Sequence, residues 1–247
     1  MDSQNQTRLS PRVQLHPGGY AEGLTAGSQD RDHRIVRLVR WFRRRRMRRF
    51  ERTFAITAGT RVLDVGGTAM NWEYLRVRPR LVILNTGRER RDAEGVTWVA
   101  GDGCSLPFPD GAFDIVFSNS VIEHVGAPER QRLFAREIAR VGRAYWVQTP
   151  NRWFPVEPHL LTPFLHWLPA RARAWMARRF TVWQWVTRPA PDRRDFYIEH
   201  FLGDIRLLGP AEMQRLFPEA RIVRERLLGL TKSLVAVRTS APGLGHE

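Results

Sequence analysis

Four short polar runs in this sequence each follow a stretch of apolar residues, and their residue types suit the parts of a single ligand. They are Asp64-Val65-Gly66-Gly67-Thr68, Asn85, Asp102-Gly103-Cys104 and Ser118-Asn119-Ser120. Gly66 and Gly67 let a backbone approach a ligand with no Cβ in the way. A polar side chain about twenty residues further on, Asn85, is placed for ribose hydroxyls. Asp102 can accept from an adenine amino group, and the neighbouring backbone can pair with ring nitrogens. Together the runs suit a nucleoside carrying an amino-acid tail.

A second set of side chains can move protons. His124 follows the fourth apolar run, with Glu123 beside it. Glu157 and His159 stand in the proline-rich loop Phe154-Pro155-Val156-Glu157-Pro158-His159, where they can enter from the far side of the ligand. Glu199 and His200 are of the same type. Spacing along the chain gives these acids and histidines no metal-ligand pattern, so no metal is expected. Gly229-Leu230-Thr231-Lys232-Ser233 imitates the end of a phosphate-binding loop, but the earlier glycine is absent and a strand follows in place of a helix.

The elements that must position these groups alternate. Arg61-Val62-Leu63-Asp64-Val65, Leu81-Val82-Ile83-Leu84-Asn85, Val96-Thr97-Trp98-Val99-Ala100, Phe113-Asp114-Ile115-Val116-Phe117 and Arg143-Ala144-Tyr145-Trp146-Val147-Gln148 read as buried strands. Helical segments between them, including one at about 129–141, imply a parallel sheet wound by right-handed crossovers. In such a sheet ligands bind outside the C-terminal strand ends, where strand order reverses. After a helix at about 210–217, two further strands at 220–228 and 233–238 read as an antiparallel hairpin closed by Gly229-Leu230-Thr231-Lys232. Upstream, Leu38, Val39, Phe42, Met47, Phe50 and Phe54 recur at helical spacing among arginines. They predict a basic amphipathic helix over 34–54.

The expected organisation is a flexible N-terminal arm over 1–30, one α/β domain over 31–240 and a flexible tail over 241–247. A mostly helical insertion at about 151–204 lies over the C-terminal edge of the sheet. It holds Trp153, Trp167, Trp175, Trp183 and Trp185, with Arg171, Arg173, Arg178 and Arg179 among them.

A hydrophobic fraction of 43% is ordinary for a globular protein. The single cysteine excludes an internal disulfide or a cysteine-rich metal site and fits a reducing compartment. No apolar secretory segment stands near Met1, and no run reaches the roughly 18 apolar residues of a membrane span. The expected location is therefore cytoplasmic, with association to the cytoplasmic face of a membrane as an option. The formal charge of +15 invites an anionic partner, yet almost all of it is arginine, Lys232 being the only lysine. Arginine bias of this kind also follows from a GC-rich coding preference.

Val62-Leu63-Asp64-Val65-Gly66-Gly67, Gly101-Asp102 followed by Leu106-Pro107-Phe108-Pro109-Asp110, and the run from Phe113 through Ser118-Asn119-Ser120-Val121-Ile122-Glu123-His124-Val125 resemble the class I S-adenosylmethionine-dependent methyltransferases, in particular the type 11 group. The resemblance is close over 61–150 and most specific over 106–125. It implies a Rossmann-like, seven-stranded, mostly parallel sheet with a terminal antiparallel hairpin and helices on both faces. It also implies S-adenosyl-L-methionine as cofactor. Asp64, Gly66, Gly67 and Thr68 would hold the methionine part, Asn85 the ribose, Asp102, Gly103 and Cys104 the adenine, with Ser118 and Asn119 at the next strand end. The sequence departs from the family where Thr68 replaces a glycine and Asn85 an acid.

On that resemblance a methyl group passes by in-line displacement to a small-molecule or lipid-linked acceptor, with His124, Glu157 and His159 as candidate catalytic residues. An RNA methyltransferase is the alternative that the charge and the arginine–aromatic clusters suggest, although Ser118-Asn119-Ser120 lacks the Asn/Asp-Pro-Pro-aromatic motif that stacks a flipped base. A noncatalytic binding module that keeps the fold is the other. A nicotinamide enzyme would need a full Gly-x-Gly-x-x-Gly turn, which is missing.

Overall fold

The computed structural model describes residues 33–86 and 95–239; the expected arm over 1–30 and tail over 241–247 lie outside them. The strands of the main sheet are β1 (Arg61–Val65), β2 (Arg80–Asn85), β3 (Val96–Ala100), β4 (Phe113–Asn119), β5 (Gly142–Pro150), β8 (Arg221–Leu227) and β9 (Leu230–Arg238). A separate two-stranded pair is made by β6 (Val156–Glu157) and β7 (Thr162–Pro163). The helices are α1 (His33–Phe54), α2 (Pro128–Val141), α3 (Ala170–Arg179), α4 (Val182–Thr187), α5 (Pro191–Gly203) and α6 (Pro210–Leu216).

The main sheet runs β3-β2-β1-β4-β5-β9-β8. β1 to β5 pair in parallel, and β9 is antiparallel to both β5 and β8. Strand order reverses at β1, so the edge beyond β1 and β4 is where the fold leaves a crevice. Central strands are buried on both faces, which is why β1 and β4 are apolar runs with little alternation. The edge strand β8 is far less buried, with Val223 buried between half-buried Ile222 and exposed Arg224.

Side-chain alternation sorts the core into two layers. Leu63, Val65, Val116, Tyr145 and Val147 face α2 and α6 through Phe134, Ile138, Met213 and Phe217. Val62, Ile83, Ile115, Phe117 and Trp146 face α1 through Met47 and Phe50. Phe50 makes edge contacts with Phe117, Trp72 and Trp146 at centroid separations of 5.0, 5.8 and 5.9 Å. The apolar stripe of the basic helix thus packs on the sheet.

Two local expectations change. Among the described residues the β1–β2 connection is a 3-10 turn, Ala69–Tyr74, and the β3–β4 connection is a loop, so α2 alone among these is a helical crossover between parallel strands. The terminal hairpin turns on Leu228 and Gly229, with φ of 50° and 80°, and not on four residues. Two consecutive positive φ values match the twist of a tight hairpin, so pairing resumes at Leu230. Gly229-Leu230-Thr231-Lys232-Ser233 therefore lies on a turn and a strand, where it cannot cradle phosphate.

Residues 151–204 hold the β6–β7 pair and helices α3, α4 and α5. They bury a core of their own, made of Leu160, Leu165, Ala177, Trp183, Ile198 and Phe201. Thr181 begins α4 with a capping box: its hydroxyl accepts from Gln184 N–H while Gln184 accepts from the Thr181 N–H.

Candidate functional site

β1 ends in a turn built around one carboxylate. Alternation along β1 sends Asp64 to the same side as Val62, towards α1, where it is fully buried. Trp72 Nε1 donates to Asp64 Oδ2 at 2.8 Å, while Oδ1 has no hydrogen-bond partner among the described residues. Burial pushes this carboxyl up to about 7, opposed by the Trp72 bond. Gly67 closes over it: a Cβ there would fall 1.9 Å from Asp64 Oδ2. Gly66 has φ +76°, and a Cβ there would meet Val121 at 2.6 Å. Thr68 is extended (φ −136°), so its backbone does not ask for the glycine that the family has here.

The other strand ends bind inward more than the resemblance implied. Asn85 Nδ2 reaches Gly67 O at 3.4 Å, and its Oδ1 accepts from Thr86 N–H at 2.8 Å, so this side chain braces the glycine turn. Asp102 is paired with Arg130 at 2.8 Å and accepts from Cys104 N–H at 2.9 Å. Gly103 lies so close to Phe134 that a Cβ would sit 2.7 Å from its ring. The Cys104 thiol is buried, which pushes it up to about 11, and it is no nucleophile at neutral pH. Ser118 Oγ donates to Val65 O at 3.0 Å, tying β4 to the end of β1. Asn119 Oδ1 accepts from Arg46 Nη1 at 2.5 Å.

Arg46 comes from α1 and is buried, held by Glu225 of β8 at 2.9 and 2.5 Å. Sequence reading missed it among the arginines. Its signal was register, because Phe42, Arg46, Phe50 and Phe54 recur every four residues and place Arg46 inside the apolar stripe. Lys232 lies close by, its ammonium 4.4 Å from the Phe42 ring centre; burial lowers it to about 8, with Arg46 adding to the shift and Glu225 opposing it. Trp72 and Arg130 carried no spacing signal at all.

The proton-moving candidates gather elsewhere, where the turn after β4 meets residues 151–204. Glu123 and His124 sit on the 3-10 turn Ile122–His124 after β4, and both are buried. Glu123 Oε2 accepts from Thr149 Oγ1 at 2.9 Å, and burial pushes the carboxyl up to about 7. His124 Nδ1 lies 3.3 Å from His200 Nε2 with the rings stacked. Its ring also stands edge-on to His159 at 5.0 Å. Burial first, then the neighbouring His159 and His200, hold His124 well below the usual histidine range, so it is neutral at pH 7. Glu157 binds His159 Nδ1 at 2.5 Å and takes Leu160 N–H at 2.6 Å. His200 Nδ1 is held by Asp204 at 2.7 Å. Glu199 is not part of the group; it pairs with Arg178 on the surface.

Residues 58–144 match the family model described as a methyltransferase domain. A protein of Mycolicibacterium gilvum named an uncharacterized methyltransferase is 33% identical over 96 residues, which cover 35% of this chain and 36% of that one. The match thus spans about a third of this curated relative's length. Among solved structures, magnesium protoporphyrin IX methyltransferase from Synechocystis PCC 6803 with bound SAH is similar at a TM-score of 0.51 and 10% identity, over 86% of this chain and 90% of that one. A Rhodobacter sphaeroides structure named for zinc-dependent alcohol dehydrogenases reaches 0.50 at 14% identity, over 75% and 86%. Likeness at such identities speaks for the fold alone.

Proposed function

From the premise that residues 58–144 are a methyltransferase domain of Rossmann-like class I fold, we propose that the chain transfers a methyl group from S-adenosyl-L-methionine to a small-molecule or lipid-linked acceptor. The observation that carries this reading is Asp64 Oδ1, a fully buried acceptor with no hydrogen-bond partner among the described residues, at the strand end beside Gly66 and Gly67. A buried carboxylate oxygen left in this state is costly, and the ammonium of a methionine tail would satisfy it. The cofactor supplies a methyl on a sulfonium with its leaving group attached, so the protein's part is alignment and the exclusion of water.

In this reading Asn85 keeps the glycine turn open to the ribose, and the 102–104 turn, fixed by Arg130, offers backbone groups to the adenine. His124, Glu157 and His159 form the acceptor side, where a proton would be received if the acceptor is a hydroxyl or a protonated amine. Isothermal titration with S-adenosylmethionine, S-adenosylhomocysteine and nicotinamide cofactors tests the assignment. The first two should bind, and Asp64→Asn should weaken them about tenfold by removing a charge-assisted contact. Binding of nicotinamide alone would sink it.

Support for a lipid-linked acceptor comes from the surface of 151–204. Trp175 and Trp185 are 64% and 69% exposed, and Trp153, Phe164, Trp167 and Phe180 are exposed as well, among arginines. Exposed aromatics with basic neighbours suit an anionic lipid surface at the cytoplasmic face. No helix among the described residues is long and apolar enough to cross a membrane. Co-sedimentation with anionic vesicles and with RNA at two salt concentrations separates the partners. RNA binding that falls steeply with salt, without vesicle binding, would favour the RNA alternative.

A further inference from the structure

We propose that Glu123, His124 and His159 form a binding site for a divalent transition metal of the zinc class, which clasps residues 151–204 to the sheet. One carboxylate oxygen and one ring nitrogen from each imidazole lie within 4.8 Å of one another, and all three residues are buried. Ligands about 2.0–2.1 Å from a common ion stand roughly 3.0–3.5 Å apart, a distance these side chains reach by small rotations. The spacing of these residues along the chain gave no hint of this, because His159 follows His124 only after α2 and β5.

The second observation is independent of that proximity. Glu123 is completely buried, and while Oε2 takes the Thr149 hydroxyl, Oε1 has no hydrogen-bond partner among the described residues. An orphaned carboxylate oxygen at such depth is the acceptor that a cation would satisfy.

Both imidazoles are also oriented from behind. Glu157 holds His159 by Nδ1, so Nε2 is the nitrogen that would take an ion, and the same carboxylate is fixed by Leu160 N–H. His200, itself held by Asp204, faces His124 Nδ1. Carboxylate-backed histidines are the usual supporting shell of a metal site. Two nitrogens and one oxygen suit zinc, cobalt or manganese better than magnesium or calcium, which take oxygen ligands. Glu123 and His124 belong to the turn after β4, and His159 to the segment beyond β6, so the ion would bridge the two.

The site shares His124 and His159 with the proposed acceptor side but no residue with the proposed cofactor site, and metal uptake is measured without the methyl donor, so metal binding and cofactor binding can each fail alone. The full-length chain is stripped with a chelator, shown to be folded by circular dichroism, and titrated with Co²⁺ followed by visible absorption and calorimetry. One Co²⁺ per chain should bind, with the absorption of a low-symmetry nitrogen–oxygen site, and Zn²⁺ should displace it. Glu123→Gln should weaken binding at least about 100-fold, and Glu157→Gln, which leaves the three ligands in place, roughly 10–100-fold. Zn²⁺ should raise the melting temperature of the natural chain and not that of Glu123→Gln. Absence of uptake by the folded chain overturns the proposal, as does uptake that both variants leave intact. If Glu123→Gln does not fold, the Glu157→Gln titration decides alone.

Discussion

The strand-end rim around Asp64 and the histidine cluster formed with 151–204 both bury polar groups, and they satisfy them in different ways. At the rim backbone partners are prominent: Ser118 bonds Val65 O, Asn85 bonds Gly67 O and Thr86 N, and Asp102 takes Cys104 N, beside the side-chain partners Trp72 of Asp64, Arg130 of Asp102 and Arg46 of Asn119. In the cluster they are mostly side chains: Glu123 with Thr149, His124 against His200, His159 with Glu157, His200 with Asp204. Side chain to side chain bonds are a small minority in folded proteins, roughly 10–15%. A rim built on backbone should therefore tolerate altered side chains and resist any added Cβ. A network of side chains should fail when one member is lost.

Arg46 tests the second half of that contrast, because it joins the rim at Asn119 but is itself held by Glu225. Arg46→Met leaves the largely buried Glu225 with Lys232 as its nearest remaining ammonium and Arg49 further along α1. Losing one partner of a buried ion pair costs roughly 3–5 kcal/mol, and the remaining ammonium puts the expected loss near the low end. Urea denaturation should show that drop. The double variant Arg46→Met with Glu225→Leu should recover to within about 1 kcal/mol of the natural chain. A double variant no better than the single would mean that Arg46 acts through Asn119.

Asp64 gives a pH signature of similar size. Its carboxyl rises on folding to about 7, chiefly through burial, so the folded state binds the proton more tightly than the unfolded chain does. The resulting stabilisation is present in full below about pH 4 and is lost as pH rises through 7, on the order of 4 kcal/mol in all. Denaturation profiles between pH 4 and 8 should show Asp64→Asn without that part of the slope. A cofactor ammonium beside Oδ1 would restore stability at the high end, so added S-adenosylmethionine should flatten the natural profile.

Gly67→Ala addresses the first half. The new Cβ would overlap the Asp64 carboxylate, forcing the turn or the acid to move. Strain of about 1–3 kcal/mol corresponds to roughly 5–150-fold weaker cofactor binding by calorimetry. Unchanged affinity would show that the turn shifts without consequence for the ligand.

The same contrast explains what could be read in advance. Strands β1 to β5, and the polar residues at their ends, are written in contiguous apolar runs closed by turn residues, so Asp64, Asn85 and Asp102 announced themselves. What those side chains bond was hidden, because Trp72 and Arg130 are paired to them by tertiary packing. His124, Glu157 and His159 were visible as isolated candidates. Their assembly with Glu123 and His200 was not, since the turn after β4, the 151–204 loop and α5 meet only once α2 and β5 have been threaded between them. The hairpin was legible to within its turn, where Leu228 takes a left-handed conformation that its residue type does not advertise.

Thr68 is the finest test of the backbone argument and should give the smallest effect. It stands where the family has glycine, yet its φ of −136° and ψ of 161° are ordinary extended values. Nothing in that geometry requires glycine, whose added freedom in the unfolded chain should cost Thr68→Gly about 0.5–1 kcal/mol. Cofactor affinity should move by less than about threefold, since neither Asp64 nor Gly67 changes its contacts. A tenfold gain on calorimetry would mean that the Thr68 side chain obstructs the ligand, and the rim would then be governed by a side chain after all.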